Sequence, residues 1–113
     1  MPHLVIEYSS GALDQAGAAR LMERLFQAAG QTGVMKPEDI KVRARGYDDF
    51  LVAGRNDSFV HLSVYLLAGR TPEQKVKLSE QLRATMMELC PDVVSLSVDI
   101  RDMDPVAYKK RLK

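Results

Sequence analysis

Much of what usually anchors a functional assignment is missing from this sequence. It has a single cysteine, Cys90, so no intramolecular disulfide can form. No Cys or His pair stands at metal-ligand spacing, no glycine-rich phosphate loop is present, and no serine is framed as an elbow nucleophile. The formal net charge is only +1, which removes any global electrostatic argument for nucleic acid or an anionic membrane. Aromatic residues make up 6%, too few for a stacking platform on single strands, although a basic stripe described below and Phe59 keep that class in view. Neither a charged-then-apolar leader nor an apolar run of bilayer length occurs, and with the lone cysteine this reads as a chain of the reducing cytoplasm with no membrane partner.

What remains is the balance of an ordinary globular domain: 113 residues, 46% hydrophobic and 27% charged, enough for one core over residues 1–113. Pro2 to Tyr8 alternates, with Leu4, Ile6 and Tyr8 opposite His3, Val5 and Glu7, which predicts a strand. Ala18, Leu21, Met22, Leu25, Phe26 and Ala29 then recur at helical spacing, with Gly30 and Gly33 as stop signals. Ile40 to Arg45 alternates again and separates Ile40, Val42 and Ala44 from Lys41, Arg43 and Arg45. Gly46 to Ser58 has loop composition, with a short strand expected around Phe50 to Ala53. Phe59 to Leu67 is a third alternating segment.

Thr71-Pro72-Glu73-Gln74 carries the pattern of a capping box, and the stripe Leu78, Leu82, Met86, Leu89 extends the helix to about Cys90, ahead of Pro91. Val94, Leu96, Val98 and Ile100 alternate in a fourth strand, and Asp104-Pro105 resembles the cap of a short tail helix over Val106 to Leu112.

Strand, helix, strand therefore occurs twice, in halves of about 2–45 and 59–101. The expected fold is α+β: duplicated β-α-β units forming a four-stranded sheet, with two helices on one face because each crossover is right-handed. The opposite face would carry Val5, Phe59, Tyr65 and charged groups. Such a mixed, uncovered face predicts a homo-oligomer; a solvated outer face is the alternative.

Pro2 is the candidate for chemistry. A small second residue permits removal of Met1, which leaves a secondary amine at the chain start. Desolvation and nearby cations lower the pKa of such an amine, and a base poised near the working pH can take a proton from one atom and return it to another. A rigid start to an edge strand is the bland reading of the same residue. Lys41, Arg43 and Arg45 project from one side of one strand and can converge on an anion, while Arg70 follows Gly69 at a strand-to-helix turn and offers another guanidinium fork. Solvated surface cations are the alternative for these. His61 reads as a hydrogen-bonded structural residue, Glu7 as a partner for the arginine stripe, and Cys90 as buried packing.

The opening Pro2-His3-Leu4-Val5-Ile6-Glu7, the later Phe59-Val60-His61, and Gly69-Arg70 before a capped helix together resemble 5-carboxymethyl-2-hydroxymuconate delta-isomerases of the tautomerase superfamily. The likeness runs over nearly the whole chain in order. It implies a homotrimer, no metal or organic cofactor, and a freed Pro2 as proton carrier, acting on a multiply carboxylated hydroxymuconate from the breakdown of homoprotocatechuate. Arg70 matches with its Gly-Arg context, and the family's arginine on the second strand falls on Lys41 or Arg43. The Gly46 to Ser58 loop is shorter than the family pattern and the segment Asp99 to Pro105 departs from it, so another enolisable acid is open as substrate.

Two functions fit this reading. One is a cofactor-independent isomerase with Pro2, Arg43 and Arg70 as catalytic residues and Lys41 and Arg45 as substrate-binding ones. The other is a small-molecule-binding regulatory module, since duplicated β-α-β sheets also serve without chemistry.

Overall fold

A computed structural model describes all residues 1–113. The elements are β1 (His3–Ser9), α1 (Gln15–Gln31), a single 3-10 turn (Pro37–Asp39), β2 (Lys41–Tyr47), β3 (Phe59–Leu67), α2 (Pro72–Leu89) and β4 (Ser95–Met103). They form one four-stranded sheet in the order β2-β1-β3-β4. β1 and β2 are parallel, as are β3 and β4, so each half is the expected crossover unit, and β1 and β3 join the halves antiparallel.

Alternation explains the layers. Leu4 and Ile6 of β1 and Val60, Leu62, Val64 and Leu66 of β3 are fully buried beneath Leu21 and Leu25 of α1 and Leu78, Leu82 and Met86 of α2. Each such side chain contributes about 1.5–3 kcal/mol by leaving water, which is what holds the helices to one face. Ile40, Val42 and Ala44 pack on the same core from β2.

Local signals set the helix ends. Asp14 caps α1 by accepting from the Gly17 N–H. At α2 the box closes reciprocally: Thr71 accepts from the Gln74 N–H at 3.2 Å, and the Gln74 side chain accepts from the Thr71 N–H at 2.9 Å. Cys90 caps the far end of α2 and is buried.

Three local expectations are corrected. Gly30 does not stop α1, which continues to Gln31; it permits close approach instead, because a Cβ there would stand 3.0 Å from Pro37 Cγ. The short strand near Phe50 to Ala53 is only an isolated bridge between Val52 and Arg55, closed over left-handed Ala53 and Gly54. The tail helix over Val106 to Leu112 does not form; the chain makes one turn, with the Tyr108 N–H donating to the Asp104 carbonyl, then continues without helix or strand. Val106 and Leu112 are 77% and 64% exposed, so no apolar face offsets the cost of nucleating so short a helix.

Candidate active site

The strand directions decide what meets at Pro2. Because β2 runs parallel to β1, the α1-to-β2 connection must return to the start of β1. Because β3 is antiparallel to β1, the turn after β3 arrives at that same end, and so does the tail that follows β4. The result is a cavity of about 640 Å3 lined by Met1 and Pro2, by Gly30 and residues 33–37 and 39, by Leu67 and Arg70, and by Lys110.

Pro2 is buried, and its carbonyl accepts from the Lys41 N–H at 3.0 Å, which fixes it at the start of β1, an interior strand rather than the edge strand expected. Arg70 is held by its own fork: Nη1 donates to the Leu67 carbonyl at 3.0 Å and Nη2 to the Val34 carbonyl at 3.2 Å. Gly69, at φ +130°, supplies the backbone conformation that turns the chain there.

The cavity is electropositive. Lys36, Arg70 and Lys110 line it against one carboxylate, Asp39. None of these cations belongs to an ion pair; the pairs in the chain are Arg24–Glu88, Arg55–Asp57, Lys75–Asp102 and Arg101–Asp99. The Met1 amine feels this directly. Burial first, then the charge of Lys110, with smaller effects of Arg70 and Lys41, hold it below its ordinary value against the opposing charge of Asp39.

The basic stripe of β2 is not part of this cavity. Lys41, Arg43 and Arg45 lie on the outer face in register with His3, Val5 and Glu7. Each step of two residues along a strand moves a side chain about 6.6 Å, so Arg43 and Arg45 are carried progressively away from the Pro2 end. They line a separate groove with Val5, Glu7 and Tyr47. Within one chain, then, Pro2 and Arg70 meet, Lys41 stands at the border, and Arg43 and Arg45 stand apart.

Arg43 instead donates from Nη1 to His3 Nδ1 at 3.1 Å, while His3 Nε2 lies 2.9 Å from the Tyr108 hydroxyl. An arginine can only donate, so Nδ1 is the bare acceptor and Nε2–H donates to Tyr108. Burial, with Arg43, Lys41 and the N-terminal amine, holds the His3 pKa below its usual range.

Glu7 accepts from the Tyr47 hydroxyl rather than pairing with the stripe, and this bond raises the Tyr47 pKa. His61 is hydrogen-bonded to the Ser97 hydroxyl at 2.6 Å, the structural role expected of it. Tyr47, Phe50, Phe59, Glu7 and His61 line a second open cavity of about 550 Å3 on the outer face. Nowhere do three His, Cys, Asp or Glu side chains come together as a metal site would require.

Sequence reasoning passed over Lys36, Asp39, Lys110 and the His3–Tyr108 contact. The first two could have been found by asking where a parallel crossover must land. The tail could not, since nothing in its pattern says that it folds back across the sheet.

Residues 2–112 match the family model of 5-carboxymethyl-2-hydroxymuconate isomerase. The 5-carboxymethyl-2-hydroxymuconate Delta-isomerase of Escherichia coli is 26% identical over 120 aligned positions, which span 98% of this chain and 94% of that protein. A 5-carboxymethyl-2-hydroxymuconate isomerase from Deinococcus radiodurans R1 superposes with a TM-score of 0.84 at 23% identity, covering 99% of this chain and 90% of that one. A fused 4-OT symmetric trimer superposes at 0.82 and 23%, covering 96% and 90%. The fold is thus that of the tautomerases, and the chain belongs to the 5-carboxymethyl-2-hydroxymuconate isomerase family as an isomerase of that type.

Proposed function

We propose that this isomerase moves a proton on a carboxylated 2-hydroxymuconate, with the nitrogen of Pro2 as the carrier once Met1 is removed. The observation that carries this is the placement of Pro2 in the wall of a cavity whose cations, Lys36, Arg70 and Lys110, have no carboxylate partners. In the full chain the Pro2 nitrogen is an amide, and Met1 is itself buried in the cavity, only 8% exposed. Removing Met1 bares the nitrogen and empties the space a substrate needs.

The chemistry balances without a cofactor. The neutral secondary amine takes the proton of the enol hydroxyl, the carbonyl forms, and the resulting secondary ammonium returns that proton to the distal carbon of the dienol. No electrons are gained or lost overall. A guanidinium next to the developing oxygen charge stabilises the intermediate, and the remaining cations hold carboxylates. Arg70 serves from the same chain.

Arg43, Arg45 and Lys41 enter the proposal through assembly. They sit on an outer sheet face that also carries Val5, Phe59 and Tyr65, and a homotrimer packed through that face brings them to a neighbour's Pro2 cavity; the resemblance to a fused 4-OT trimer supports such a ring. The lone buried Cys90 supports a reducing, cytoplasmic setting, and the family supports a role in homoprotocatechuate breakdown.

Ultraviolet absorption tests the proposal. Protein shown by intact mass to begin at Pro2 should convert the dienol absorbance of 2-hydroxymuconate to that of its keto isomer, and protein retaining Met1 should not. Equal rates from the two forms would remove Pro2 as carrier.

A further inference from the structure

The C-terminal segment does something that neither a disordered tail nor a packed helix would do. β4 ends at Met103, whose carbonyl accepts from the Ala68 N–H at 3.0 Å, at the far side of the sheet from β2. From there residues 104–110 lead back to the start of β1. Asp104 organises the turn, its carboxylate accepting from the Val106 and Ala107 N–H groups at 2.9 and 3.4 Å. Tyr108 then meets His3, through the 2.9 Å hydrogen bond and an edge-on ring contact with centroids 5.9 Å apart. Two residues on, Lys110 reaches the wall of the Pro2 cavity.

Three observations mark Lys110 as more than a solvated surface charge. It forms no ion pair, although Asp39 lines the same cavity. It is the charged group with the largest effect on the Met1 amine, which lies in the same cavity. And it stands on the tail while Arg70 stands on the β3-to-α2 turn and Lys36 on the α1-to-β2 connection, so the three cations come from separate segments around one opening.

We propose that Lys110, carried to the Pro2 cavity by a C-terminal strap that Tyr108 fastens to His3, binds one carboxylate of the substrate, so that the strap selects dicarboxylated over monocarboxylated enols. This rests on the reading of the Pro2 cavity as the active site. Arg70 takes the carboxylate beside the reacting enol, and Lys110 takes the distal one. Tyr108 is a positioning residue, acting only through the strap.

The experiment uses processed wild-type protein and the Lys110→Met, Tyr108→Phe and Pro2→Ala variants. Turnover is followed on 2-hydroxymuconate, with two carboxylates, and on 2-hydroxy-2,4-pentadienoate, with one. Binding of cis,cis-muconate, a dicarboxylate with no enol to isomerise, is followed by calorimetry. Lys110→Met should raise KM for 2-hydroxymuconate roughly tenfold with kcat little changed, leave KM for the monocarboxylate where it was, and weaken muconate binding by a similar factor. Tyr108→Phe should shift the same constants in the same direction by less, and combining it with Lys110→Met should add nothing.

Pro2→Ala should lose about 100-fold or more of the turnover and still bind muconate. Wild-type protein that binds muconate through Lys110 yet turns over neither enol would overturn the isomerase reading alone. Normal turnover with KM and muconate affinity indifferent to Lys110, no muconate binding by wild type, or an equal loss on both enols would overturn the strap proposal.

Discussion

The carbonyl of Pro2 is tied to the Lys41 N–H at 3.0 Å, so the residue that lines the cavity is held in the sheet by its carboxyl side. Position and reactivity are thereby separable. Pro2→Ala keeps the carbonyl and its bond, and the processed variant should unfold at the wild-type temperature. It exchanges a rigid secondary amine for a mobile primary one, and kcat should fall by about 100-fold or more, the usual contribution of a positioned acid-base group. Ketonisation rates alongside a thermal melt check this, and a variant that both melts early and keeps its rate would contradict it.

The same geometry shows what the sequence could and could not convey. Periodicity located β1, β2, β3 and β4 because each buries one face, and it put Lys41, Arg43 and Arg45 together on the other face. Thr71 and Gln74 announced α2 because capping is a local hydrogen-bond arrangement with a fixed spacing. Register across the sheet is not local. Arg43 reads as a companion of Pro2 when the strand is viewed alone, but pairing with Val5 sets it further along the outer face, where it bonds to His3. Lys110 was invisible for the same reason: the contact that places it joins residues 3 and 108, with almost the whole chain between them.

Arg70 is both a wall of the cavity and a brace. Its two bonds to the Leu67 and Val34 carbonyls join the β3-to-α2 turn to the α1-to-β2 connection. Arg70→Ala strands two carbonyls and should lower the unfolding free energy by about 1.5–3 kcal/mol, the range for a hydrogen bond to a charged group. It should also raise KM for a carboxylated enol. Arg70→Lys keeps the charge but not the fork, so it should recover more of the substrate affinity than of the stability. Urea titrations and steady-state kinetics on the pair separate the two roles; unaltered stability in Arg70→Ala would show that the brace is not formed in solution.

Separation of Arg43 from the Pro2 cavity within one chain leads to a test of assembly. If a neighbour's Arg43 completes the site, Pro2→Ala and Arg43→Ala subunits are each inactive alone and complement each other when unfolded together and refolded. Mixed rings then contain some sites with an intact Pro2 from one chain and an intact Arg43 from the next, and activity should return to a sizeable fraction of wild type. A mixture no more active than its two components would place Arg43 outside catalysis, leaving it only its contact with His3.

The His3 clasp makes the strap sensitive to acid, and the sign follows from its protonation. Burial, Arg43, Lys41 and the N-terminal amine hold the folded His3 pKa below that of the unfolded chain. Above the ordinary histidine value both states are neutral, and the clasp contributes in full. As pH falls through that value, the unfolded chain takes up a proton that the folded chain refuses, so stability declines. Lower still, His3 protonates in place; Nδ1 becomes a donor facing the Arg43 guanidinium and that bond is lost to repulsion, and although Nε2–H still donates to Tyr108, opening the strap is favoured because it relieves the burial that opposes the charge. Hydrogen exchange of residues 104–110, followed from about pH 8 down to about pH 5, should therefore show the strap opening below the histidine range while the β3 amides stay protected. KM for a dicarboxylated enol should rise over the same interval. Tyr108→Phe, already unfastened at neutral pH, should show a flatter profile in both measurements, and a wild-type profile equally flat would mean that His3 does not govern the strap.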